Sequence, residues 1–135
     1  VMANSDNVLR GGLTPKHVDV PELLRVLDFT PADGATLHAP THRDGIELVY
    51  DTPAPEFASS VLLLDSDQLG HEVDAPSRHD GPQILVCMEG SVVVYAKSDQ
   101  VTLNRGASAW VAAEDGPIRL RAERPTKLFR ATVGL

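Results

Sequence analysis

The sequence predicts a mostly β chain: a β-sandwich or jelly roll preceded by one short helix. Three observations carry this prediction. From Ile46 onward, apolar residues gather in short runs, several of them alternating with polar ones at the period of a half-buried strand. Glycine and proline, at 10 residues each, punctuate those runs at close intervals. Helical spacing with a start signal occurs in a single stretch, Leu23 to Leu27 behind Asp19 and Pro21.

The elements follow in order. Asp19 suits an N-cap, Pro21 the first turn, and Glu22 the positive end of a helix on which Leu23, Leu24 and Leu27 share an apolar face. Asp28 to Gly45, with Pro31, Gly34, Pro40 and Gly45, reads as a surface connector. Ile46 to Tyr50 alternates and is stopped by Pro53-Ala54-Pro55, and Phe57 to Leu64 is apolar enough for a buried strand. Asp65 to Gly81 is polar and reads as a long loop with room for a short strand. Gln83 to Met88 and Ser91 to Lys97 flank Glu89-Gly90 and read as a hairpin. Val101 to Leu103 is short, Asn104-Arg105-Gly106 turns, and Ala107 to Ala112 continues. Pro117 to Ala122 sets Ile118 and Leu120 against Arg119 and Arg121 on opposite faces, and Leu128 to Val133 closes the set. About eight such strands suit a sandwich or jelly roll. We read residues 1–30 as a motif segment plus the helix and residues 31–135 as the β-barrel, in one compact domain overall.

Composition narrows the function. The chain has 135 residues, enough for one domain with its own core, and 42% of them are hydrophobic. Nineteen acids against 12 bases give a net charge of −7, which argues against general nucleic-acid binding but leaves room for a small anionic ligand in a local pocket. Cys87 is the single cysteine, so no intrachain disulfide forms, and its apolar neighbours make it a buried hydrophobe. No apolar run reaches the length of a membrane span, and the opening residues do not resemble a signal peptide, so a cytoplasmic location is expected.

The densest chemistry lies in Ser5-Asp6-Asn7-Val8-Leu9-Arg10-Gly11-Gly12-Leu13-Thr14-Pro15-Lys16. Arg10 offers a planar fork for a phosphate or carboxylate, and Lys16 a compact point charge. Asp6 is spaced to orient one of these cations or to hold a sugar hydroxyl. Gly11 and Gly12 permit a sharp turn or close approach of backbone to ligand. By composition alone the same residues also make a capped turn with a surface ion pair between Asp6 and Arg10.

The stretch from Val1-Met2-Ala3-Asn4-Ser5-Asp6-Asn7-Val8 through Arg10, Gly12-Leu13-Thr14-Pro15-Lys16 and on to Asp19-Val20 and Leu23-Leu24 resembles the signature of type I mannose-6-phosphate isomerases, departing at Gly11, where alanine is common. Leu103-x-x-Gly106-x-x-x-Trp110-Val111 is in turn similar to the cupin barrel pattern. The resemblance implies a cupin-like jelly roll and a zinc-dependent aldose–ketose isomerase. Such enzymes interconvert mannose 6-phosphate and fructose 6-phosphate through a cis-enediol, with zinc polarising the sugar oxygens. It implies a catalytic role for Arg10, in stabilising the enediolate or holding the substrate's anionic groups, and substrate contacts for Asp6 and Lys16. The motif is specific over about the first 25 residues; beyond them the likeness is one of fold.

The family's zinc ligands, a Gln-x-His pair, a Glu and a further His, would precede Val1. The five histidines here, His17, His38, His42, His71 and His79, include no His-x-His pair, and Ala39-Pro40 prevents His38 and His42 from aligning on a helix. No metal site is therefore expected in this chain. No nucleophile elbow, phosphate loop or dinucleotide fingerprint is present either. Trp110 and Tyr95 fall in strand patterns and read as core or sheet-face residues. The expectation is a C-terminal portion of the isomerase, inactive without the catalytic region that precedes it. The competing expectation is a non-catalytic cupin-like domain, either sugar-phosphate-binding or structural.

Overall fold

The computed structural model describes residues 9–31, 41–52, 55–77, 80–97 and 99–134. They divide into two compact units, one holding residues 9–31 and the other residues 41–134.

In the first unit, helix α1 spans Val20–Val26. The Asp19 carboxylate accepts a hydrogen bond from the Glu22 amide at 3.0 Å, Pro21 occupies the first turn, and the Leu27 amide returns to the Leu23 carbonyl at 3.1 Å. Glu22 and Arg25 form a bidentate pair, Nε to Oε2 at 2.7 Å and Nη2 to Oε1 at 2.5 Å. That hydrogen bond holds the Glu22 carboxyl below its usual range and lifts Arg25. Helix, cap and apolar spacing match expectation, yet α1 buries no residue: Val20, Leu24, Val26 and Leu27 are all exposed.

The second unit contains ten described strands: β1 Thr41–Asp44, β2 Glu47–Tyr50, β3 Phe57–Leu64, β4 Val73–Ala75, β5 Gln83–Glu89, β6 Ser91–Ala96, β7 Asp99–Asn104, β8 Ser108–Val111, β9 Ile118–Arg121 and β10 Thr126–Val133. A six-stranded antiparallel sheet runs β1-β2-β3-β10-β5-β8 and a four-stranded one runs β4-β9-β6-β7. Leu62, Leu64 and Leu128 from the first sheet and Val92, Val94, Leu103, Ile118 and Leu120 from the second are buried in one core, as alternation along each strand requires. Ile118 and Leu120 point inward and Arg119 and Arg121 outward, as their spacing predicts.

Two local expectations are corrected. Thr41–Asp44 is a strand, within the stretch expected to be connector; Gly45, at φ +57°, turns it onto β2 with Thr41 opposite Tyr50. Its four residues are all exposed, so no hydrophobic alternation marked it. The Glu89-Gly90 step joins two strands of different sheets and makes no hairpin. Gly90 sits at φ +77°, and a Cβ there would lie 2.3 Å from Thr126 Oγ1 and 2.5 Å from the Pro125 carbonyl. Thr126 also bonds the Ser91 backbone, its hydroxyl accepting from the amide at 3.3 Å and donating to the carbonyl at 3.1 Å. This corner thus passes the chain between layers, and β6 instead forms a hairpin with β7, with Ala96 opposite Asp99 and Lys97 at φ +41°.

Candidate functional site

The sequence-predicted site lies in the first unit. Gly12 has φ +146° and Leu13 φ +51°, the latter a left-handed conformation that costs a branched residue about 1–2 kcal/mol. The chain bends from Gly12 to Lys16, where the Lys16 amide donates to Thr14 Oγ1 at 3.2 Å, and then enters the α1 cap. Gly12 thus uses the freedom expected of it. Arg10 is half-buried and Lys16 exposed, and among the described residues neither side chain enters an ion pair. Asp6 lies outside the described residues.

The jelly roll offers different chemistry. Its middle is filled by leucine, valine and isoleucine side chains, but one end carries a buried polar group. Arg130 on β10 donates from Nη1 to Glu47 Oε1 at 3.2 Å and to the Pro76 carbonyl at 2.9 Å, and from Nη2 to the Ala75 carbonyl at 2.7 Å. Ser60, between them on β3, donates to the same Glu47 oxygen. Burial pulls Arg130 below the usual guanidinium range, while the Glu47 charge and hydrogen bond oppose that shift. Glu47 also lines a cleft of about 420 Å³ with Asp44, Asp74 and Ser77. The sequence reading missed this pair. Its signal was parity: Arg130 shares the inward face of β10 with Leu128, and Glu47 that of β2 with Val49.

The outward arginines are neutralised locally. Arg119 pairs with Glu72 and stands 5.8 Å from the Tyr95 ring, and Arg121 meets Glu123 at 2.9 Å. Trp110 is a sheet-face residue, 64% exposed. Of the histidines, His42 lies on β1 with Nδ1 2.7 Å from Asp51 Oδ1, His71 Nδ1 sits 3.1 Å from the Leu69 carbonyl, and His17 is exposed; His38 and His79 lie outside the described residues. Among the described residues no three His, Cys, Asp or Glu side chains gather as a metal site. The described residues do not fit a zinc centre. No helix among them is long and apolar enough to cross a membrane.

Two antiparallel sheets in this strand order, closed over one apolar core, define the second unit as a cupin-type jelly roll. Comparison with known proteins narrows the class. The chain is 38% identical over 120 residues to mannose-6-phosphate isomerase of Salmonella typhimurium, 37% over 121 residues to that of Escherichia coli, and 31% over 136 residues to that of Homo sapiens. These alignments cover 87%, 90% and 96% of this chain and 29%, 29% and 31% of the relatives. A crystal structure of the Salmonella typhimurium enzyme bound to fructose 6-phosphate and zinc superposes with a TM-score of 0.78 at 34% identity, over 99% of this chain and 32% of that one. No protein-family profile matches. The chain belongs to the mannose-6-phosphate isomerase family, as the counterpart of the C-terminal ~30% of its members.

Proposed function

We propose that this chain is the C-terminal part of a zinc-dependent isomerase that interconverts mannose 6-phosphate and fructose 6-phosphate. The observation that carries this reading is the 38% identity, along 87% of the chain, to a mannose-6-phosphate isomerase whose solved form holds fructose 6-phosphate and zinc. Zinc, when bound in the whole enzyme, supplies Lewis-acid polarisation of sugar oxygens; the family resemblance puts its ligands before Val1, and the described residues gather no group of three that could hold it.

This chain's own contribution is charge and position. Arg10, half-buried and without an acidic partner among the described residues, directs its guanidinium at the anionic substrate or at negative charge developing on it. Lys16 and Asp6 contact substrate or orient Arg10. The jelly roll of residues 41–134 is scaffold in this reading. A cytoplasmic location goes with it, as does the free, buried thiol of Cys87.

The test is to express the longer polypeptide encoded upstream of Val1 in the same reading frame and assay mannose 6-phosphate turnover with and without zinc. Zinc-dependent isomerisation by the longer polypeptide, with none from residues 1–135 alone, is expected. A frame that opens at Val1, or a longer polypeptide that binds zinc without isomerising the sugar phosphate, overturns the reading.

A further inference from the structure

The two outer faces of the jelly roll differ in kind. On the four-stranded sheet, Asp74, Arg119, Tyr95 and Gln100 lie side by side across the strands, and so do Arg121, Val93 and Thr102. A mainly polar face is expected of an antiparallel sheet with one side in water. On the six-stranded sheet the outward positions are apolar along much of the middle, with Arg43, Ser59, Ser108 and Lys127 among them. Leu48, Val61, Phe129 and Val86 lie opposite one another across β2, β3, β10 and β5, and Ala131, Ile84 and Trp110 across β10, β5 and β8. The inward positions of the same strands, Leu62, Leu85, Cys87 and Leu128, are fully buried in the core. Much of this outer face is therefore apolar, in contrast to that of the four-stranded sheet, as in a sheet packed on both sides.

Toward the β5–β8 edge that outer face is bare. Ile84 and Met88 are each 44% exposed and Trp110 64%. Contiguous exposed patches of this composition mark interfaces, and tryptophan is the residue most enriched among those that dominate binding energy.

We infer that the outer face of the six-stranded sheet around Ile84, Met88 and Trp110 is the surface against which the rest of the isomerase polypeptide packs. The inference rests on the function proposed above. Length identifies the occupant: the chain spans 29–31% of its relatives, so each carries more than twice this much polypeptide outside the matched region. A body joined covalently to the sheet acts at high effective concentration, which a second copy does not share. A second copy also brings a further net charge of −7.

The experiment uses Trp110, the single tryptophan of the chain, as its reporter. Both the 135-residue chain and the longer polypeptide are labelled with 5-fluorotryptophan, with Trp110→Phe identifying its fluorine resonance. Expected are an open, readily quenched Trp110 in the chain alone and a several-fold loss of accessibility to quencher in the longer polypeptide. Trp110→Lys should leave the melting temperature of the chain alone unchanged and lower that of the longer polypeptide. Isomerase activity, measured in parallel, separates the two claims. Activity with Trp110 as open as in the isolated chain overturns the interface and leaves the function standing. Protection without activity overturns the function and supports only a covered face. Protection that grows with concentration in the 135-residue chain alone identifies a second copy as the occupant and overturns the inference.

Discussion

Arg130 fastens the two layers of the jelly roll to each other through its relationship with Glu47. The two residues sit on strands separated by β3, with 2% and 8% of their surfaces exposed, and their charges meet at 3.2 Å. The same guanidinium caps the carbonyls of Ala75, the last residue of β4 in the opposite sheet, and of Pro76 just beyond it. One side chain thus neutralises a buried carboxylate and satisfies two carbonyls at the seam between sheets.

Removing one partner should therefore cost far more than removing both. Arg130→Met strands the Glu47 carboxylate and two carbonyls, and a loss of about 3–5 kcal/mol is expected. The double variant Glu47→Leu with Arg130→Met should recover much of that loss, since neither charge is then buried alone. Urea denaturation of the wild type, both single variants and the double variant forms the required cycle. A single-variant loss under about 1 kcal/mol, the range of exposed pairs, would sink the assignment.

Two glycines with similar backbone angles should respond differently to alanine. Gly90 and Gly106 have φ of +77° and +86°, but a Cβ at Gly90 collides with Thr126 and Pro125, whereas one at Gly106 meets nothing within 4 Å. Gly106→Ala should lose about 1–2 kcal/mol, the left-handed penalty alone. Gly90→Ala must also move the corner between sheets, and a loss of about 3 kcal/mol or more is expected. Equal melting temperatures for the two variants would contradict this account.

Cys87 should be chemically silent in the folded protein. Burial raises its thiol above the ordinary value of 9.0, outweighing the opposing effects of the Glu89 backbone and the Arg124 charge. Native protein at pH 8 should label with a disulfide reagent only at the rate of unfolding, and denatured protein at once. The sign of the linkage follows. An acid whose folded pKa is raised contributes stability that is fully present below the unfolded value and lost as pH rises toward the folded one. Stability should therefore fall from about pH 9 upward, and Cys87→Ala should flatten that part of the profile.

Arg10 should matter to turnover and leave metal binding intact. In the longer polypeptide, Arg10→Ala is expected to lower kcat by roughly 10²-fold at unchanged zinc content. Arg10→Lys should recover part of the loss by restoring charge without the fork. Unchanged kcat in Arg10→Ala removes this residue from the mechanism.

Much of the fold was legible because strand alternation and turn residues are local signals. Ile118 and Leu120 declared the inner face of β9, and Asp19 with Pro21 declared the start of α1. What escaped was set by partners distant in sequence. Thr41–Asp44 pairs as a strand with no buried residue of its own, and Glu89-Gly90 resembles a hairpin until Thr126 is seen beside it. Glu47 and Arg130 lie 83 positions apart, and each alone reads as a solvated charge on a strand. For the candidate site the order reverses. Arg10 and Lys16 stood out by their motif, and the first unit adds a bend at Gly12 and Leu13 that lies between them in the chain.

The central place of β10 bears on how this protein is made. Thr126–Val133 lies between β3 and β5 and bonds to both, yet it is the last of the ten described strands to leave the ribosome. Until it emerges, β3 and β5 cannot be joined, and each keeps an open, largely apolar edge for the whole of translation. A stop codon or protease cut before Thr126 would therefore leave the six-stranded sheet split down its middle, with fragments prone to pair with one another. Quality control of the nascent chain should thus respond sharply to lesions in β10.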